Sequence, residues 1–227
     1  MQFFMDRSPC LTMEGYSFSQ IINLLTSRMT SNTVTDLYEL MKNRRTTRHY
    51  STECIDPLKV ERIIQAGIYA PSGSNKSPYL IAVVTNPQLK SEIRKRAESV
   101  EREFYRNKRK SKDNEFLKWV QKKDIRITKS FLTDAPVLLV VFENSEWADR
   151  HSLESTWISI GYMILAAEYE GLSTVTYTPE PKTFLNEILE IPEVFRPQVI
   201  LPLGYAKDSV KKKGIRPELS KRILTFT

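Results

Sequence analysis

Residues 152 to 172, "SLESTWISIGYMILAAEYEGL", place apolar side chains on several faces of the helix that their spacing predicts. A helix with one apolar stripe can lie on a surface, but one that is apolar on several sides must be covered from more than one direction. The segment therefore predicts a central helix closed by Gly171, and the rest of the chain has to be arranged around it.

The remaining segments alternate in type. Residues 33 to 43 start in a Ser/Asn/Thr cluster and put Val34, Leu37, Leu40 and Met41 on one helical face. Pro57 opens a second helix, "PLKVERIIQAGIYA". "YLIAVVT" (79 to 85) and "APVLLVVFE" (135 to 143) are short, β-branched apolar runs and predict buried strands. "STVTYT" and "PQVILPLG" predict two more, flanking a short helix around "KTFLNEILE", and "RILTFT" closes the chain as an extended tail. Strands separated by helices allow a parallel, doubly wound sheet, but GxGxxG and GxxxxGK[ST] are both missing. Phosphate recognition in this chain has to come from side chains.

No Gly/Ser/Pro-rich linker divides the 227 residues, so a single domain is expected from residue 33 to 227. Residues 1 to 32 are set apart as an N-terminal extension, helical or poorly ordered. With 41% hydrophobic and 27% charged residues the composition is that of a globular protein. No apolar run approaches the roughly 20 residues that span a bilayer, and no secretory leader is evident, so no membrane association and a cytoplasmic location are expected. Cys10, Cys54, His49 and His151 are too few for a zinc cluster, and no metal is expected; a Cys54–His151 catalytic pair has nothing local in its favour.

The net charge of +7 is concentrated. Between Arg94 and Lys129 fourteen Lys or Arg face six Asp or Glu, a surplus that accounts for all of it. Acids and bases interleave at helical spacing with sparse anchors, Phe104, Tyr105, Phe116, Trp119 and Ile125. A solvated helical face is the expected state, with an anion-attracting site and a nucleic-acid or protein-binding module as alternatives.

Two segments carry unusual chemistry. "NRRTTRHY" (43 to 50) crowds three arginines and two threonines into five positions at a helix end. Guanidinium forks suit phosphate oxygens, and a helix C-terminus also favours cations for purely structural reasons. "YAPSGSNKSPY" (69 to 79) is a small, polar bend between helix and strand.

These two segments, followed downstream by "LPLGY" and "KKKGIRP", occur in an order that resembles the FMN-dependent nitroreductase family over residues 33 to 220. The family's "RRSxRxF" stands here as Arg44 to Tyr50, and its "APSxxNxQPW" as Ala70 to Tyr79, with Ser77 in place of Gln and Tyr79 in place of Trp. The resemblance implies an α+β fold, a mainly antiparallel sheet surrounded by helices, in an intertwined homodimer with FMN at the subunit interface. It implies that Arg44, with Arg45 and Thr46, meets the phosphate and that Arg48 reaches the flavin N1/O2 edge. Pro71, Ser72, Gly73, Ser74 and Asn75 would lie along the ring, and the backbone of Thr176 and Tyr177 near N5. Leu203, Gly204, Lys213 and Arg216 complete the cofactor set, and Tyr162 is taken as core.

The implied activity is an oxidoreductase that takes hydride from NADH or NADPH and passes it, by ping-pong exchange at one flavin face, to a nitroaromatic, quinone or similar acceptor. A specialised relative, a reductive dehalogenase or a flavin-consuming enzyme, would carry the same FMN motifs. Catalytic acids or nucleophiles from the chain are not required, because the cofactor carries the reactivity.

Overall fold

A computed structural model describes residues 36–110, 127–147, 150–207 and 216–226. The expectations for residues 1 to 32, for Phe116, Trp119 and Ile125, and for Lys213 lie outside the described residues.

Helix α1 (Leu37–Asn43) is capped by Asp36, whose carboxylate accepts from the Tyr38 N–H at 2.9 Å. This cap lies downstream of the Ser/Asn/Thr cluster from which the helix is expected to start. Helix α2 (Pro57–Ile68) has Pro57 in its first turn and Asp56 accepting from the Leu58 N–H at 3.0 Å, the arrangement that satisfies an orphan donor where proline costs nothing. A one-turn 3₁₀ segment (Gly73–Asn75) leads to β1 (Tyr79–Val84). There follow α3 (Pro87–Lys110), α4 (Phe131–Asp134), β2 (Val137–Asn144), α5 (Ser152–Tyr169), β3 (Ser173–Thr174), α6 (Phe184–Leu189) and β4 (Phe195–Gly204). A second 3₁₀ turn (Leu219–Lys221) precedes the tail.

The strands are ordered β1-β2-β4-β3 and every neighbouring pair is antiparallel, which excludes the doubly wound alternative for this sheet. All eight residues of β2 are buried, because helices cover both faces of the sheet. Leu138, Val140 and Phe142 point to one face and join Ile93 and Ala97 of α3, Phe131 and Leu132 of α4, and Phe184 and Leu185 of α6. Val137, Leu139 and Val141 point to the other and join Val60 and Ile63 of α2 with Ile160, Met163 and Ala167 of α5. Each such fully buried aliphatic or aromatic side chain is worth about 1.5–3 kcal/mol, so this double alternation fixes the register of the central strand.

Helix α5 is the central helix expected from its apolar faces, and Gly171 closes it at φ 74°, its N–H reaching the Glu168 carbonyl at 3.1 Å while Leu172 N–H reaches Ala167 at 2.8 Å. One face of α5 departs from the expectation. Leu153, Trp157, Ile158 and Tyr162 are exposed, so Tyr162 is a surface residue and not core. Helix α1 buries no residue and leaves Leu37 and Met41 exposed as well.

The described part of the basic stretch is a helix with one apolar stripe, Ile93, Ala97 and Val100, and a charged exterior laced by ion pairs. Arg94 meets Glu98 at 2.8 Å, Arg96 meets Glu187 at 2.9 Å and Arg106 meets Glu103 at 3.8 Å. This is the solvated face expected from the interleaved charges.

Candidate functional site

The arginine-rich segment runs beside the sheet at the C-terminal end of α5. Thr46 bridges Thr174 in parallel, the Thr47 N–H donates to the Thr174 carbonyl at 3.1 Å, and Tyr50 bridges Ala206 antiparallel. Ser51 and Lys207 add bonds to Tyr205 and His49, so residues 46 to 51 are fastened to β3 and to the end of β4. Tyr50 anchors the segment. Its ring is buried, and its hydroxyl donates to the Thr47 and Pro202 carbonyls at 2.9 and 3.2 Å; burial pushes its ionisation well above the ordinary tyrosine range.

Arg44, half-buried at the end of α1, is held below the usual arginine pKa, first by burial and next by the like charge of Arg216. Glu168 opposes that shift, and Arg45 adds to it. Two guanidinium groups that raise each other's energy across a partly desolvated space form a place an anion would stabilise. Arg44 and Arg216, 172 positions apart in sequence, are thus within electrostatic reach of one another.

Other expected residues are placed differently. Arg45 turns back onto α1, where its guanidinium donates to the Lys42 carbonyl and, at 2.8 Å, to its neighbour Arg44. That is a helix cap, the structural use of a cation at a C-terminus. Leu203 is 1% exposed within the α5-side core, and Gly204 is buried against Tyr50. A Cβ on Gly204 would lie 2.7 Å from Tyr50 Cδ1 and 3.0 Å from Pro136 Cδ, so the missing side chain at this glycine makes room for the Tyr50 ring. Thr46, Arg48 and Thr176 are exposed on the same edge.

Tyr177 corrects the expectation of a backbone donor. Its N–H and carbonyl are both spent on Ile200, at 3.0 and 2.9 Å. Its side chain runs into the core, edge-on to Phe131 at 5.3 Å between centroids, and its hydroxyl donates to Glu101 Oε1 at 2.8 Å. Burial, followed by the charge of Glu101, pushes the phenol far above its ordinary range. The second Glu101 oxygen lies 2.7 Å from Lys129 Nζ, a contact of charges that the sequence reading missed, and this ammonium stands 5.7 Å from the Tyr177 ring centre.

The polar bend sits elsewhere, at the N-terminal end of α5. Its conformation is unusual, since Ser74, Asn75 and Ser77 have φ of 51°, 55° and 45°. Ser72 Oγ accepts from the Ser77 N–H at 2.9 Å and Gly73 N–H donates to Ser155 Oγ at 3.1 Å, so these two residues shape the loop. Pro71, Ser74 and Asn75 face solvent. From Ser155, which meets the bend, to Glu168, which acts on Arg44, α5 advances about 20 Å at 1.5 Å per residue. One chain therefore holds its arginine cluster and its polar bend at opposite ends of the central helix.

Cys54 is engaged in a disulfide, which removes it as a nucleophile for His151. Among the described residues no group of three or more His, Cys, Asp or Glu is arranged to hold a metal, and no helix is long and apolar enough to cross a membrane.

The chain is 36% identical over 190 residues to an iodotyrosine deiodinase of Thermotoga neapolitana, covering 84% of this chain and 98% of the relative. It is 37% identical over 178 residues to an iodotyrosine deiodinase of Haliscomenobacter hydrossis, covering 75% and 79%. A crystal structure of an oxidized iodotyrosine deiodinase bound to FMN and 3-iodo-L-tyrosine superposes with a TM-score of 0.75 at 34% identity, covering 84% of this chain and 98% of that one. With the sequence pattern of the nitroreductase family matching residues 41–205, the chain belongs to the nitroreductase family.

Proposed function

We propose that the protein is an FMN-dependent reductive dehalogenase acting on a halogenated tyrosine or a closely similar phenol. The observation that carries this reading is the likeness, across 84% of the chain, to a deiodinase holding both FMN and 3-iodo-L-tyrosine. Broad reduction of nitroaromatics or quinones, favoured by the motifs alone, gives way to the specialised alternative.

The residues fit the cofactor. Arg44 and Arg216 would supply the paired cations for the phosphate, and Arg48, exposed on the same segment as Arg44, would stabilise negative charge at the ring's N1/O2 edge. Thr176 is exposed and, among the described residues, its N–H donates to no backbone carbonyl, so it is the residue of the Thr176–Tyr177 pair suited to the flavin. Bound FMN in its reduced form supplies the two electrons that, with one proton, replace a ring carbon–halogen bond by carbon–hydrogen and release halide. NADH or NADPH is the donor assigned to recharge it.

The substrate class follows from Glu101 and Lys129. An α-amino acid carries an ammonium and a carboxylate side by side, and this pair offers the opposite charges, 14% and 8% exposed, against Tyr177, the residue that follows Thr176. Taking up such a ligand exchanges one ion pair for two without leaving a buried charge alone.

The separation of the arginines from the bend calls for a second copy. A flavin ring cannot touch Arg48 and Asn75 of one chain when α5 lies between them. The exposed stripe Leu153, Trp157, Ile158 and Tyr162 offers an apolar seat on which two α5 helices, related by a two-fold axis, bring each bend to the other chain's arginines.

The test is single turnover. The purified protein should be yellow, and after anaerobic reduction it should convert 3-iodo-L-tyrosine to tyrosine and iodide in proportion to its flavin. A reduced, FMN-loaded protein that releases no halide from this substrate would overturn the reading.

A further inference from the structure

The bend between Pro71 and Lys76 is held to the rest of the described residues, apart from its own turns and the adjoining Ser77, by one hydrogen bond. That bond runs from the Gly73 N–H to Ser155 Oγ. Ser155 lies in the first turns of α5 and is 2% exposed. The same turns meet the loop twice more: His151 packs where a Gly73 side chain would begin, 3.4 Å from its ideal Cβ, and Thr156 Oγ1 donates to the Pro78 carbonyl at 3.3 Å. Ser152, on the same helical side, donates to Glu143 of β2 and so fixes the helix start against the sheet.

We propose that Ser155 is a positioning residue for the cofactor loop, holding Gly73 so that the Ser74–Asn75 tip is presented in a conformation it would not keep by itself. Three left-handed residues within four positions make that conformation costly, and an unsupported loop relaxes away from it. The hydroxyl of Ser155 opposes the relaxation from a helix whose outer stripe is the proposed seat of the second chain. Assembly and loop geometry thereby share one rigid element. The proposal rests on the FMN reading above.

Ser155→Ala and Ser159→Ala separate this role from a general effect on the helix. Ser159 is fully buried one turn further along, and its hydroxyl has no partner among the described residues. Two readouts apply: FMN Kd by flavin fluorescence, and hydrogen exchange of the peptide spanning 70 to 78 with and without FMN. Loss of one ordinary hydrogen bond predicts about a fivefold higher FMN Kd in Ser155→Ala. Exchange across the loop should be faster, and Ser159→Ala should change neither readout.

Wild-type Kd and exchange in Ser155→Ala would overturn the proposal, as would equal changes in both variants. Should the alanine variant not fold, Ser155→Cys keeps the shape with a weaker acceptor and gives the same readouts. If the wild-type protein binds no FMN, the cofactor reading falls, while exchange of the loop without flavin still decides whether Ser155 holds Gly73.

Discussion

Lys129 and Glu101 face each other at 2.7 Å, and Tyr177 binds the same carboxylate through its hydroxyl. Glu101→Gln keeps the shape and the Tyr177 contact but removes the charge that would receive an ammonium. Affinity for 3-iodo-L-tyrosine, read by quenching of the bound flavin, should fall about tenfold or more, the value of a hydrogen bond to a charged group. Affinity for 2-iodophenol, which has no amino-acid head, should stay unchanged. Equal losses for both ligands would remove the pair from substrate recognition.

Arg44 and Arg216 act on each other through space, and an anion between them relieves that repulsion. Arg44→Ala should weaken FMN binding by about 1.5–3 kcal/mol, the worth of a charge-assisted contact. The effect on riboflavin, which lacks the phosphate, should be small. Titration of the apoprotein with both flavins checks this, and a matching loss for riboflavin would place Arg44 elsewhere.

Much of this arrangement was legible in the chain. The unbroken apolar run of β2 announced a strand covered on both faces, and it is so covered, whereas the several apolar faces of α5 announced a helix covered all round, and one of those faces is exposed. Strand direction was not legible in the local pattern, because antiparallel pairing of β1, β2 and β4 is decided between segments far apart in sequence; it came only through the family resemblance, which implied the antiparallel sheet that is found. Tyr162 misled since an aromatic on a central helix fits a core and a subunit contact equally well. Glu101 and Lys129 were hidden in a stretch where interleaved charges normally mean solvent. Only the packing of Phe131 and Tyr177 around them takes them out of water. That Gly204 makes room for the ring of Tyr50 shows only in the packing.

That packing makes two glycines differ in their tolerance. An added methyl at Gly204 meets the Tyr50 ring and Pro136, both rigid, whereas at Gly67 it meets Met163 Cγ at 2.7 Å and Ser159 Oγ at 3.0 Å, where the unbranched methionine has more torsions through which to give way than a ring. Gly204→Ala should destabilise by about 1–3 kcal/mol as an overpacking change and loosen residues 46 to 51. Gly67→Ala should cost less. Urea unfolding of the two variants side by side checks the order, and a larger loss at Gly67 would refute it.

Glu98 gives the fold a defined acid sensitivity. Burial would raise its carboxyl pKa, but the Arg94 hydrogen bond at 2.8 Å, the Lys129 N–H and the charges of Arg94 and Arg102 together hold it below the ordinary 4.5. A depressed folded pKa means that its stabilisation is present above the unfolded value and is lost as pH falls through the folded one. Wild-type stability should therefore decline more steeply than that of Glu98→Gln from about pH 4.5 downward. At pH 7 the variant should be the less stable of the two. Melting curves over that range test the sign, and parallel declines would show that Glu98 is not responsible.

The two ends of α5 provide the sharpest test of assembly. If each flavin takes its arginines from one chain and its loop from another, two differently damaged chains can rebuild one good site. One copy would carry Arg44→Ala and the other Asn75→Trp, a bulky side chain at the exposed tip of the bend. Each homodimer should bind FMN poorly. The mixed dimer, purified through two different tags, pairs the intact arginine of the second copy with the intact loop of the first and should bind FMN at one of its two sites with wild-type affinity. A site built within one chain predicts the opposite, because both chains of the mixed dimer then hold a damaged site. Absence of any tight site in the mixed dimer would therefore refute the shared-site arrangement while leaving the antiparallel fold and the Arg44–Arg216 pairing as they stand.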